Sequence, residues 1–109
     1  MIVTAQRGGG IAGPALRQQL GPVDTAELPF VVAERMITLV EQMDFFSLPD
    51  HLPDGTPGHS DAMWYSMAVE LERTHTIDWT DNAAQLPQQL PELTRAMEES
   101  GAAWTEVST

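Results

Sequence analysis

Residues 63–72, which read MWYSMAVELE, decide the fold. Every second position of this stretch carries an apolar side chain: Met63, Tyr65, Met67, Val69 and Leu71. A period of two with one apolar face predicts a β-strand. A tight turn near Arg73 leads to a further strand at 74–80, where Ile77 and Trp79 share a face with His75. The two strands predict an antiparallel hairpin.

A second hairpin is predicted near the N-terminus. Residues 2–7 alternate like a strand, and residues 15–20 are its candidate partner. The residues between them are too rich in glycine for a regular element. Gly21-Pro22 is predicted to end the second strand, because proline cannot donate a backbone hydrogen bond.

An amphipathic helix follows this hairpin. Asp24 or Thr25 is a suitable N-cap, and Pro29 suits an early helical position. The apolar stripe covers an arc of about 120° at helical spacing, which is wide enough to cover one face of a sheet. Its members are Leu28, Val32, Met36, Leu39, Val40 and Met43. The helix is predicted to stop near Asp44, whereas Phe30 and Ile37 lie off the stripe.

A second helix is predicted towards the C-terminus. Leu86, Leu90, Leu93 and Met97 form a narrower stripe, and the prolines at 87 and 91 confine the regular part mainly to 92–100. The fold prediction is therefore α+β, with a four-stranded antiparallel sheet, two amphipathic helices on one face and the order ββαββα. Residues 1–101 are expected to form one domain, and residues 102–109 a flexible tail with Trp104 as its candidate anchor.

Composition narrows the classes of function. The 109 residues carry 16 acidic and five basic side chains, for a formal charge of −11, and no cysteine. Such a charge repels phosphate backbones and anionic lipid surfaces, so neither nucleic acid nor a membrane is an expected partner. The N-terminal residues lack the apolar core of a signal peptide, so the expected location is the cytoplasm.

No catalytic or metal-binding pattern is present in the sequence. No serine lies in a Gly-x-Ser-x-Gly elbow, and the glycines at 8–13 are not followed by the lysine of a phosphate-binding loop. His51 and His59 share an acidic stretch, yet their spacing matches no familiar zinc motif. We therefore predict that the protein is not an enzyme and carries neither metal nor cofactor. Stoichiometric zinc in the purified protein would make His51 and His59 candidate metal ligands.

Two features remain as candidate contacts with a partner. The glycine segment is the run Gly8, Gly9, Gly10, Ile11, Ala12 and Gly13. It is longer than a tight hairpin needs, and it presents one branched apolar side chain among residues that allow close approach. A permissive hairpin loop is the simpler interpretation of the glycines taken alone. Trp64 points away from the apolar face of its strand, either as a surface residue or as an anchor for a partner.

With these features in place, the chain resembles the emfourin family, small protein inhibitors of thermolysin-like zinc metalloproteases such as protealysin. Residues 9–13, GGIAG, are similar to the family's Gly-Gly-Phe-Ala-Gly segment, with Ile11 in place of the phenylalanine. Further short matches follow in order: VDT at 23–25, LP at 28–29, LVE at 39–41, DFFSLP at 44–49, DAMWYSM at 61–67 and HTI at 75–77.

The resemblance implies reversible inhibition of a thermolysin-like metalloprotease. Proteases of this class favour a bulky apolar residue just after the scissile bond. Our hypothesis is that the glycine segment enters the active-site cleft, where Ile11 fills that pocket and Gly9 and Gly10 pass close to the zinc. The alternative is an acidic protein-binding module with a regulatory partner that is not a protease.

Overall fold

The computed structural model describes residues 1–9, 17–55 and 63–107, which form an α+β fold. The strands are β1 (Ile2–Gly9), β2 (Arg17–Asp24), β3 (Met63–Glu70), β4 (Thr74–Thr80) and β5 (Thr105–Glu106). The helices are α1 (Phe30–Gln42) and α2 (Gln89–Glu99). Short 3-10 helices occupy Thr25–Glu27 and Phe45–Ser47. None of the described helices is long and apolar enough to cross a membrane.

The five strands form one antiparallel sheet in the order β4-β3-β1-β2-β5. Val3 pairs with Val69 and Ala5 with Met67, so the apolar sides of β1 and β3 coincide. Both helices contribute to the same buried cluster as these residues, which places α1 and α2 on this one face. The predicted layering is confirmed, but the four-stranded sheet and the order ββαββα are wrong in detail, since β5 adds a fifth strand.

The predicted stripe is confirmed from Met36 onwards, whereas Val32 is half-buried and Leu28, also half-buried, lies before the first residue of α1. Met36, Leu39, Val40 and Met43 are all buried in the core. The helix begins later than its cap signals indicated, because Asp24 caps the short 3-10 helix by accepting a hydrogen bond from the Ala26 N–H at 3.0 Å. Asp44 ends the helical segment with a φ of 49°. Off the stripe, Phe30 is 78% exposed.

Two further predictions about the chain are corrected. The Gly21-Pro22 pair does not end β2, which continues to Asp24. The register shifts between Val3 and Ala5 of β1, opposite this pair, so the ladder resumes beyond the proline. Leu86 was expected in the core with Leu90, but it is 39% exposed and lies before the first residue of α2.

The outer side of β4 and the outer side of β2 both carry covering segments. On the β4 side, the Asp78 N–H donates to the Asp50 carbonyl and the Leu52 N–H donates to the Asp78 carbonyl, both at 2.9 Å. On the β2 side, β5 pairs with Gln18 and Gln19. The separation into a domain at 1–101 and a flexible tail at 102–109 stays a prediction.

Candidate functional site

The glycine segment begins where β1 ends and lies before the start of β2. Gly8 pairs with Arg17 in the β1–β2 ladder, so residues 10–16 connect two adjacent positions of the sheet. Gly8 is buried, and Gly9 has a φ of 85°, a conformation that side-chain-bearing residues rarely adopt. Of the predicted contact residues, Gly10, Ile11, Ala12 and Gly13 lie outside the described residues.

Trp64 lies beside the glycine segment, on the sheet face away from the helices. Gly8 separates it from Arg17 in the sheet, since Gly8 pairs with both residues. The Arg17 guanidinium carbon lies 5.3 Å from the centroid of the Trp64 ring. A cation–π contact therefore bridges the position where Gly8 has no side chain. Trp64 is half-buried, and its role as a partner contact stays a prediction.

On the helix side of the same sheet end, Arg7 occupies the corresponding place. Its Nε donates a hydrogen bond of 2.8 Å to the Gln18 side-chain oxygen, which ties β1 to β2. The Arg7 guanidinium carbon lies 3.9 Å from the centroid of the Trp104 ring. Trp104 Nε1 in turn donates to a Glu98 carboxylate oxygen at 2.9 Å. The end of β1 is thus connected to the end of α2.

This sheet end is also unusual in charge. The chain has five arginines and no lysine against 16 acidic residues. Arg7 and Arg17 lie here against aromatic rings, and among the described residues neither forms an ion pair. Two of the five cations of a strongly acidic protein therefore flank the glycine segment, with Asp81, Glu98 and Glu106 at the same end of the sheet.

A cavity of about 360 Å³ opens next to these residues, between the sheet and α2. Its walls include Arg7, Tyr65, Trp79 and Trp104. Tyr65 and Trp79 stack with their centroids 5.8 Å apart and an interplanar angle of 20°. Burial raises the pKa of the Tyr65 hydroxyl, and the nearby Asp81 carboxylate raises it further.

The histidines are distributed differently from the sequence expectation. His51 Nδ1 contacts an Asp78 carboxylate oxygen, and His59 lies outside the described residues. His75, which was expected to share a face with Ile77 and Trp79, is half-buried against Phe45, and its Nε2 lies 2.7 Å from the Leu48 carbonyl oxygen. Among residues 1–9, 17–55 and 63–107, no group of three potential metal ligands comes together.

Sequence reasoning did not place Arg7 and Arg17 in the site. The available signal was their position, since two of only five basic residues stand within a few places of the glycine segment. Their aromatic partners could not be assigned in advance. Trp104 is 97 positions from Arg7 in the chain, and only the folded sheet brings the two together.

The fold and this site define a small α+β protein whose distinctive surface is one end of its sheet. A scan against protein-family models matches residues 5–98 to the emfourin model. The match covers most of the chain, which therefore belongs to the emfourin family, a family of inhibitors rather than enzymes. The comparisons with curated proteins and with solved structures gave no match.

Proposed function

We propose that this protein is a reversible inhibitor of thermolysin-like zinc metalloproteases and that it acts by inserting the glycine segment into the active-site cleft. The family match carries the proposal, because it spans residues 5–98 and so includes the whole glycine segment. The proposal includes the cytoplasmic location expected from the sequence. No zinc of the inhibitor's own is needed, since the metal belongs to the protease.

The strand ends support insertion of this segment. Gly9 and Arg17 end and begin adjacent strands, so the two ends of the connection are held by the sheet ladder. A connection whose ends are fixed loses less conformational entropy on docking than a free peptide of the same sequence. Glycines at 8–10 let the backbone approach the protease closely, while Ile11 supplies the apolar side chain for the pocket after the scissile bond.

The test is a titration of thermolysin with the wild-type protein and with Ile11→Asp. Burial of one large aliphatic side chain is worth about 1.5–3 kcal/mol, and an aspartate in an apolar pocket adds a desolvation cost. We therefore expect the inhibition constant to rise at least about tenfold to hundredfold. Equal potency of the two proteins would remove the role proposed for Ile11.

Val31→Asp is the matched control for this experiment. Val31 is also branched and apolar, it is 77% exposed, and it lies in the first turn of α1, where an aspartate is well tolerated. Its inhibition constant should equal that of the wild type. Absence of inhibition by the wild type against thermolysin and related metalloproteases would contradict the proposed function itself.

The acidic surface favours a second candidate, a binding module for a basic regulatory partner. The formal charge of −11 would attract such a partner over long range. Binding of this kind weakens steeply as salt rises, whereas insertion of Ile11 into an apolar pocket does not. Co-purification from a native cell extract at low and high salt separates the two candidates, because the first retains a metalloprotease at high salt.

A further inference from the structure

Residues 102–107, which we call the C-terminal strap, contact both strands that bound the glycine segment. On the β1 side, the Trp104 ring lies 3.9 Å from the Arg7 guanidinium carbon. On the β2 side, β5 pairs with Gln18 and Gln19, and the Val107 N–H donates to the Arg17 carbonyl at 2.9 Å. The strap thus reaches the last part of β1 and the first residues of β2.

The strap is itself anchored to the domain. Trp104 donates through Nε1 to Glu98 in α2, and its ring is half-buried against the core cluster. Arg7, under that ring, donates to Gln18 on the neighbouring strand. One continuous series of contacts therefore runs from α2 through Trp104 and Arg7 to β2.

The strap also lies beyond the region that the family model matches. That match ends at residue 98, within α2, so Trp104 and β5 are outside it. The chain offers 16 acidic groups with which an arginine could form an ion pair. Arg7 instead stacks on the ring of Trp104, which belongs to the strap. The contact is specific in geometry and sits two residues before Gly9.

We propose that the C-terminal strap is a positioning element for the glycine segment, with Trp104 as its main residue. By holding Arg7 and Arg17 in place, the strap restricts the directions in which the chain leaves β1 and enters β2. Fewer accessible conformations of the free protein mean a smaller entropic loss on docking, and hence tighter binding. The consequence for inhibition rests on the proposed function, but the ordering of the strand ends does not.

The first readout needs no protease. Amide hydrogen exchange is followed at residues 8–9 and 17–19 in the wild type, Trp104→Ala and Trp104→Phe. We expect exchange at these amides to become at least about threefold faster in Trp104→Ala, because the cation–π contact and the anchor to Glu98 are both lost. Phenylalanine keeps a ring for Arg7 and should restore most of the protection. Unchanged exchange in Trp104→Ala, as a freely flexible tail would give, overturns the proposal.

The second readout is the inhibition constant against thermolysin. Trp104→Ala should raise it about twofold to fivefold, the range of one cation–π contact at a partly exposed site, with partial recovery in Trp104→Phe. Leu71→Ala is the control: this apolar side chain is 54% exposed, lies in the turn after β3 at the opposite end of the sheet, and should change neither readout.

A second variant tests the proposal without changing Trp104, so that a folding defect in the tryptophan variants cannot account for the result. Val107→Pro removes the N–H that donates to Arg17 while leaving Trp104 in place. It should speed exchange at 17–19 more than at 8–9. If the wild type inhibits thermolysin, and Trp104→Ala and Val107→Pro both inhibit it as strongly as the wild type does, the proposed effect on inhibition is wrong. If the wild type inhibits nothing while exchange responds as expected, the proposed function fails and the positioning role stands.

Discussion

The middle of the sheet and the end next to the glycine segment differ in the chemistry of their cross-strand neighbours. In the middle, Val3 pairs with Val69 and Ala5 with Met67, all buried beneath the helices. One step further along β1, Arg7 pairs with Tyr65, and a tryptophan from the C-terminal strap replaces the helices as the cover. The first region obtains its stability from apolar burial, whereas the second depends on ring–guanidinium contacts that are individually weak.

This difference teaches where the protein can change without losing its fold. Cation–π contacts at partly exposed sites are worth about 0.5–1 kcal/mol each, several times less than a buried aliphatic side chain. Substitutions at the sheet end should therefore alter binding while the domain stays folded. Substitutions in the middle of the sheet should destabilise the fold and leave binding by the folded molecules unchanged.

The largest effect is expected at Leu93, which is fully buried in α2. Leu93→Ala removes the apolar contacts of that side chain and leaves a cavity, so the free energy of unfolding should fall by about 2–5 kcal/mol. Urea denaturation measures this fall in the free energy of unfolding. Inhibition per folded molecule should not change; a specific loss of potency in the folded variant would break the comparison between the two regions.

The next effect is expected at Gly9, which is the last residue of β1 and has a φ of 85°. Gly9→Ala should destabilise the protein by about 1–2 kcal/mol, because a β-carbon is strained in this backbone conformation. Gly9→Asn is the matched variant, since asparagine tolerates positive φ better than alanine. Thermal unfolding of both should rank alanine as the less stable. The opposite rank would mean that backbone strain is not what selects glycine here.

A smaller effect is expected from the ion pair that links the outer surfaces of the helices. Arg35 Nη1 lies 3.2 Å from Glu99 Oε2, and both side chains are about half exposed, at 48% and 57%. A double-mutant cycle of Arg35→Ala and Glu99→Ala should give a coupling of about 0.2–1 kcal/mol that shrinks with added salt. Arg95→Ala, a substitution that is also on α2, is the single-site control. A coupling above that range would show that the helix layer is not held by apolar burial alone.

The smallest effect concerns His51 on the β4 edge. The hydrogen bond with the Asp78 carboxylate raises the pKa of His51 above its ordinary 6.5. Because the folded-state pKa is the higher one, the stabilisation is fully present below pH 6.5 and is lost as pH rises through the raised value. An NMR titration of the ring should show this shift, and Asp78→Asn should return the pKa towards 6.5. An unshifted pKa in the wild type would contradict the pairing.

The elements with clear periodicity were predictable from the sequence, and those created by tertiary pairing were not. The alternation at 63–72 and the stripe from Leu28 to Met43 reflect burial on one face, which a short window of sequence records. β5 is two polar residues that form a strand only because β2 offers an edge. Gly21-Pro22 read as a strand end because proline donates no hydrogen bond, but an irregular register opposite it lets β2 continue.

For the candidate site, the sequence suggested the glycine segment and Trp64 as partner contacts, which stay predictions, and it did not indicate the arginines that lie beside them. A glycine run is a local signal, whereas the pairing of Arg7 with Trp104 depends on where the chain returns after α2. The roles of Ile11 and its neighbouring glycines stay predictions for the titration described above.

The covered edges of the sheet have a consequence for how the protein behaves in a crowded solution. Amyloid-like growth starts from a continuous run of about five to seven unpaired strand residues that a second chain can extend. Contacts from Asp50 and Leu52 interrupt the outer side of β4 at Asp78, β5 occupies Gln18 and Gln19 on β2, and Pro22 breaks what remains of that edge. Within the described residues, neither edge offers a run of that length without a proline. The described edges are thereby protected from templating aggregation through strand pairing with a second copy of the chain.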